Sequence, residues 1–177
     1  MNEVSIDLDR IEDLNKLREL DCGTFVLLSG TIYSARDQAH KRLEELLNTH
    51  QKIDINFNNK IIYYMGPTPA RDNLPIGSCG PTSSYRMDRY LETTLKLGVL
   101  ATLGKGDRQG SIVDLIKKYK APYLVTIGGA SAVLAQKVIS SKVVLFNDLL
   151  SEAIMELKVK EFPVVVAIDT TGKQIFR

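Results

Sequence analysis

Cysteine and histidine are scarce in this chain: Cys22, Cys79, His40 and His50 are all there are in 177 residues. The two cysteines lie far apart in sequence and form no CxxC pair, which argues against a disulfide framework and for a reducing compartment. No spacing among the four residues matches a four-ligand zinc site, so no metal is expected to be held by this chain alone. An excess of one charge is missing as well. Lys and Arg number 23 against 21 Asp and Glu, a formal net charge of +2, which leaves no electrostatic footprint for nucleic acid. No apolar run reaches the ~18 residues of a membrane span. The opening MNEVSIDLDRIEDL is acidic, whereas a secretory leader places cations ahead of an apolar stretch. The expectation is a cytoplasmic globular protein, one domain over residues 1–177, large enough to bury a core.

Nucleotide signatures are absent too. Gly98 to Lys105 has the outline of a P-loop, but five residues separate Gly98 from Gly104, and Gly106 stands where a magnesium-binding hydroxyl belongs. No GxGxxG follows any predicted strand.

What is present is alternation. EVSIDL, FVLLSGTIYS, KIIYYMG, GVLATLG, PYLVTIGG and KVVLFND read as strands. DRIEDLNKLREL, SARDQAHKRLEELLNTH, RYLETTLKLG, IVDLIKKYK and ASAVLAQKVISS read as helices between them. The tail EAIMELKV reads as helix or strand, followed by a firm strand and a hairpin at Thr171-Gly172. This order predicts an α/β fold with a mainly parallel central sheet and helices packed on it.

In such folds ligands bind beyond the carboxyl ends of strands, and three of those junctions carry a cation. Ser34-Ala35-Arg36-Asp37 has the [ST]-x-x-[DE] capping pattern, which places Arg36 in a first helical turn where the dipole opposes it. GSCGPTSSYRMD, Gly77 to Asp88, puts glycines and Pro81 ahead of a helix, with Thr82 and Arg86 spaced to share a face. Leu103-Gly104-Lys105-Gly106-Asp107 sets a lysine between two glycines. Each cation alone has an ordinary reading as a solvated side chain. Together they point to a small anion with two or more acidic groups, carboxylates above all, since the arginine fork takes both carboxylate oxygens at once.

The ordered motifs SGTIYSARDQAHKRL, YYMGPTPA, GSCGPTSSYRMD, ATLGKGD and TIGGASAVLAQ resemble the β subunit, or C-terminal half, of class I iron–sulfur fumarases and L(+)-tartrate dehydratases. The likeness runs over nearly the whole chain. It implies a swivelling β/β/α domain and a partner α subunit, in a hetero-oligomer of α2β2 type, whose three cysteines carry an oxygen-sensitive 4Fe-4S cluster. It implies hydro-lyase activity on a four-carbon dicarboxylate, reversible hydration of fumarate to (S)-malate in the tricarboxylic acid cycle, with no part for nucleic acid or membrane. Carried over onto matching positions, Arg36 and Arg86 would bind substrate carboxylates, Lys105 would add positive charge beside substrate and base, and Thr82 would be the catalytic base. Asp37, His40 and Ser83 are further substrate-binding candidates, although Asp37 also suits a helix cap and His40 a helix surface. Cys79, inside the site loop, suits a small residue filling a tight turn better than a cluster ligand. Gly128-Gly129 matches the family pattern, and close strand–helix packing explains it equally well. Tyr85 departs from the small residue expected in relatives. The near alternative is tartrate dehydratase, giving oxaloacetate. A non-catalytic binding domain that kept the fold is the alternative from a different class.

Overall fold

The computed structural model describes residues 3–70, 74–108, 110–126 and 131–176. Seven strands and five α-helices follow in the order β1 (Glu3–Asp7), α1 (Ile11–Glu19), β2 (Phe25–Ser34), α2 (Asp37–Asn48), β3 (Ile61–Tyr63), α3 (Leu91–Lys96), β4 (Ala101–Gly104), α4 (Gly110–Tyr119), β5 (Tyr123–Val125), α5 (Ser131–Ala135), β6 (Val138–Leu145) and β7 (Ile154–Ile168). Two 3-10 helices, Ser84–Tyr90 and Asn147–Glu152, precede α3 and β7.

The fold is mixed α/β. Strands β1 to β5 lie side by side and parallel, and β7 runs antiparallel to β5, β6 and β2. Because β7 pairs with both β5 and β2, the sheet closes on itself like a barrel. The central sheet expected from the sequence is therefore parallel along most of its order, and it is closed. What makes closure possible is the length of β7: its first half meets the end of β2 (Ser34 opposite Met155) and its second half the start (Phe25 opposite Val165). A bulge between these halves leaves Glu161 at φ 50°, its N–H donating to Ser29 Oγ. Pro163 follows the bulge, a place where a strand tolerates a residue without an N–H.

Alternate residues of β2 explain the main core. Val26, Leu28 and Ile32 are fully buried and join Ile61, Tyr63, Leu103, Leu124, Phe162 and Val164 in one cluster. Tyr63 meets Phe162 edge to face at 5.6 Å. The opposite faces of β2 and β3, through Tyr33, Ile62 and Tyr64, pack with Ala39 and Leu43 of α2 in a second cluster. Neighbouring residues thus serve opposite faces, as the period of two requires.

One predicted element changes, and one read as helix or strand is decided. ASAVLAQKVISS is not one helix: α5 stops at Ala135, and Val138 onward is strand paired with β7. The β-branched run VISSKVV favours that pairing. EAIMELKV is strand, with Ile154, Leu157 and Val159 buried on its way along β2 and β6. The hairpin at Thr171-Gly172 forms, closed by Asp169 N–H donating to the Lys173 carbonyl at 3.0 Å.

Candidate functional site

Parallel pairing in near register brings the carboxyl ends of β2, β3 and β4 to one edge: Ser34 lies beside Tyr63, and Tyr63 beside Leu103. The loops that leave this edge carry the predicted site. The Gly77–Ser83 segment crosses it, with Pro81 in an antiparallel bridge to Met65 and Ser83 in a parallel bridge to Lys105. Thr82 N–H donates to the Tyr64 carbonyl at 2.7 Å, and Ser84 N–H to the Lys105 carbonyl at 3.0 Å. Thr82 and Ser83 are thereby threaded between the end of β3 and Lys105, both half-buried, with Lys105 exposed.

This arrangement corrects several local expectations. The helical turn begins at Ser84, so Pro81 is not its first residue, and Thr82 does not share a helix face with Arg86. The Thr82 N–H is taken by Tyr64 and is not available to an anion. Neither Gly77 nor Gly80 adopts a left-handed φ. Their value is close approach: a Cβ on Gly77 would strike Thr68 and the Pro69 carbonyl, and one on Gly80 would strike Ser131 Oγ. Ser34 does not cap α2. It ends β2, and its Oγ accepts from Met155 N–H at 3.3 Å. Arg36 is the N-cap residue, in extended conformation, and the carboxylate of Glu152 takes the Gln38 N–H at 2.8 Å.

The Arg36 guanidinium lies against Gly66, where a Cβ would collide with its Nη1 and Cδ and with the Ser151 carbonyl. Its Nε is buried without a hydrogen-bond partner, and among the described residues Arg36 and Lys105 form no ion pair. Arg86 is engaged: its Nε and Nη2 donate to the two oxygens of Asp37 at 3.2 and 2.8 Å, a fork-on-fork contact joining the start of α2 to the 3-10 helix. Asp37 is therefore neither a helix cap nor free, but the holder of Arg86. Arg36, Asp37, Thr82, Ser83, Arg86 and Lys105 all belong to this edge. His40 does not reach it. It is 1% exposed, stacked on Tyr90 and edge-on to Tyr64, with Nδ1 3.2 Å from Thr94 Oγ1. Burial lowers its pKa to about 4, against the pull of Asp37 and with Arg108 adding to the fall, so the ring is neutral.

Cys79 is a core residue of the crossing loop. Its carbonyl accepts from Tyr63 OH at 2.5 Å, and burial pushes its thiol up to about 12. A thiol that stays protonated is a poor metal ligand. Among the described residues no three His, Cys, Asp or Glu side chains are grouped to hold a metal ion. Gly128 and Gly129 lie outside the described residues.

Sequence reasoning missed the ion pair under the site. Arg108 is completely buried. It donates from Nε to Asp88 Oδ1 at 2.6 Å and from Nη1 to Thr102 Oγ1 at 3.1 Å. Its guanidinium faces the rings of Tyr64 and Tyr123 at 5.6 and 5.0 Å. The only available signal was the charge of Asp88 and Arg108 themselves, since charged residues are rarely buried unless paired.

The family model described as the fumarase C-terminus matches residues 1–177. The chain belongs to that family. Class I anaerobic fumarate hydratase of Escherichia coli K12 is 35% identical over 178 residues, which cover 98% of this chain and 32% of that protein. Fumarate hydratase 2 of Leishmania major is 34% identical over 177 residues, 98% of this chain and 31% of that protein. The fumarase C-terminus chain thus spans about a third of these curated relatives. A Methanocaldococcus jannaschii protein provisionally assigned as an L(+)-tartrate dehydratase beta subunit is 37% identical over 166 residues, 90% of this chain and 85% of that protein.

Proposed function

We propose that residues 1–177 act as one domain, the beta subunit of an iron–sulfur hydro-lyase that interconverts fumarate and (S)-malate in the cytoplasm. The observation that carries this reading is the sheet edge that Arg36, Thr82, Arg86 and Lys105 share, two of the three cations lacking a carboxylate partner among the described residues. Arg36 and Arg86 bind the two substrate carboxylates. Arg86 does so from its Nη1 side, while Asp37 occupies Nε and Nη2 and holds the guanidinium in place. Thr82 Oγ1 exchanges a proton with the substrate carbon next to one carboxylate, and Lys105 and Arg86 stabilise the negative charge that develops there. Ser83 lies beside Thr82 as a further donor. The likeness to relatives named as fumarate hydratases supports the substrate class. The closed sheet with outer helices supports assignment to the swivelling β/β/α type.

The described residues of this chain do not fit a 4Fe-4S cluster: none of their His, Cys, Asp or Glu side chains are grouped as ligands, and burial keeps the Cys79 thiol protonated. The cluster is assigned to a partner α subunit, in an α2β2 assembly. An apolar groove of about 580 Å³ beside the site supports such a partner: Pro67, Pro75, Ile76, Val143, Leu150 and Met155 line it, starting one residue from Gly66. Leu150, 81% exposed, lies at its rim. No described helix is long and apolar enough to cross a membrane.

Tartrate dehydration is the second reading. It is favoured by one finding, the coverage of 85% of the Methanocaldococcus protein, which is a separate subunit of this chain's size class. Anaerobic assays of fumarate hydration and L(+)-tartrate dehydration, with this chain alone and with its partner, separate the two. Turnover of fumarate that needs the partner supports the first reading, turnover of tartrate replaces the substrate, and activity on neither with cluster intact overturns both. In the active complex, Gly66→Ala is expected to raise KM for the dicarboxylate about tenfold, equal to ~1.4 kcal/mol of binding, because the new Cβ displaces the Arg36 fork. Unchanged KM would show that Arg36 does not bind substrate.

A further inference from the structure

We infer that Arg108, with Asp88 and Tyr123, is a positioning device that fixes the base-bearing segment Thr82–Ser84 and the segment Lys105–Gly106 in one geometry. None of the three touches substrate in the hydro-lyase reading, on which the kinetic arm of the test rests. Asp88 sits within the Ser84–Tyr90 helix and Thr102 within β4, and Arg108 binds both. Tyr123 completes the link from β5: its hydroxyl donates to the Gly106 carbonyl at 2.8 Å and is paired with Ser84 Oγ at 2.9 Å. Ser84 in turn gives its N–H to Lys105. Gly104 has no side chain because Ser84 Oγ occupies that space. The two walls beside Thr82 are therefore joined three times over, by a salt bridge, a tyrosine hydroxyl and a backbone hydrogen bond.

A purely structural role has a cheaper solution. An apolar set of similar volume stabilises a core at least as well as a buried ion pair, whose desolvation offsets its attraction. What apolar packing lacks is direction. The planar fork and the hydroxyl fix orientation as well as distance. Arg36 hangs from the end of β2, and Arg86, although it shares the Ser84–Tyr90 helix with Asp88, is also held by Asp37 of α2, so both carboxylate-binding guanidiniums keep an anchor outside the Arg108 network. Disturbing Arg108 should thus disturb proton transfer at Thr82 more than substrate binding.

The test uses this chain with its partner and two variants that differ in severity, Tyr123→Phe, which loses one hydroxyl, and Arg108→Lys, which keeps charge and loses the fork. Turnover is normalised to the folded, cluster-loaded fraction. Amide exchange of Thr82 and Ser84 is followed on the same preparations, with Ala35, bonded to Tyr63, as the internal reference. The expected result is a kcat lower by about tenfold for Tyr123→Phe and about 100-fold for Arg108→Lys, the scale of a roughly 1 Å misplacement, at nearly constant KM. Ser84 and Thr82 amides should exchange faster together while Ala35 does not change. Normalised kcat unchanged in both variants overturns the inference, as does a kcat loss without faster exchange. If the unmodified complex turns over neither fumarate nor tartrate, the hydro-lyase reading falls and the exchange arm decides alone: joint loosening of Thr82 and Ser84 upholds the coupling of the two segments, and independent behaviour ends it.

Discussion

Thr82→Ala is expected to lower fumarate turnover by between about 10²-fold and 10⁴-fold, the span of a lost general base, without unfolding the protein. The fold should survive because the loop is held by its backbone. Thr82 N–H to the Tyr64 carbonyl, the Pro81–Met65 bridge and the Ser83–Lys105 bridge all persist when the hydroxyl is removed. Activity should not survive because a threonine hydroxyl is a weak base in water and works only where fixed cations stabilise its alkoxide. Lys105, bridged to the adjacent Ser83, and Arg86, held by Asp37 at the start of α2, both lie at the same sheet edge. Thr82→Ser keeps the oxygen and should recover most of the rate. The check is kcat and KM of both variants with the partner present, beside a thermal melt of each. A Thr82→Ala enzyme within threefold of the unmodified rate would remove Thr82 from the reaction and pass the proton to another group.

The location of this edge was legible because it follows from a rule about strands. FVLLSGTIYS, KIIYYMG and GVLATLG announce themselves by apolar and β-branched residues, and Arg36 and Lys105 directly follow the first and the third. What was not legible is what each small residue does there. Gly77 and Gly80 read as turn formers, yet they are glycine because Thr68 and Ser131 press against them, contacts made by residues remote in the chain. Ser34 and Asp37 matched a capping pattern, and tertiary partners claimed both: Met155 took the serine and Arg86 the aspartate. Closure of the sheet depends on β7 finding β2 across more than a hundred residues, which no local periodicity encodes. ASAVLAQKVISS misled for the same reason, since Val138 becomes strand only because β7 offers an edge. The Arg108–Asp88 pair lies between a loop and a 3-10 helix whose packing is set by Tyr64 and Tyr123, so nothing in its spacing marks it.

His40 supplies the largest expected effect on stability. Its ring is fully enclosed, and burial lowers its pKa from 6.5 to about 4. The folded state therefore binds fewer protons than the unfolded chain between these values, so stability from this group is complete above pH 6.5 and is lost as pH falls through that window toward about 4. The whole difference corresponds to about 3 kcal/mol and the part lost by pH 5 to about 2 kcal/mol. Urea midpoints measured at pH 7 and pH 5 should fall accordingly. In His40→Phe the fall should shrink by that amount, because a phenyl ring fits among Tyr64 and Tyr90 and Thr94 Oγ1 keeps its bond to the Tyr90 carbonyl. An equal fall in both proteins would mean that His40 protonates without cost in the fold, and hence that water reaches the unpartnered Nε2. That result would reopen a path from His40 to the site edge, one turn of α2 away from Arg36, and with it the substrate-binding role that its burial argues against.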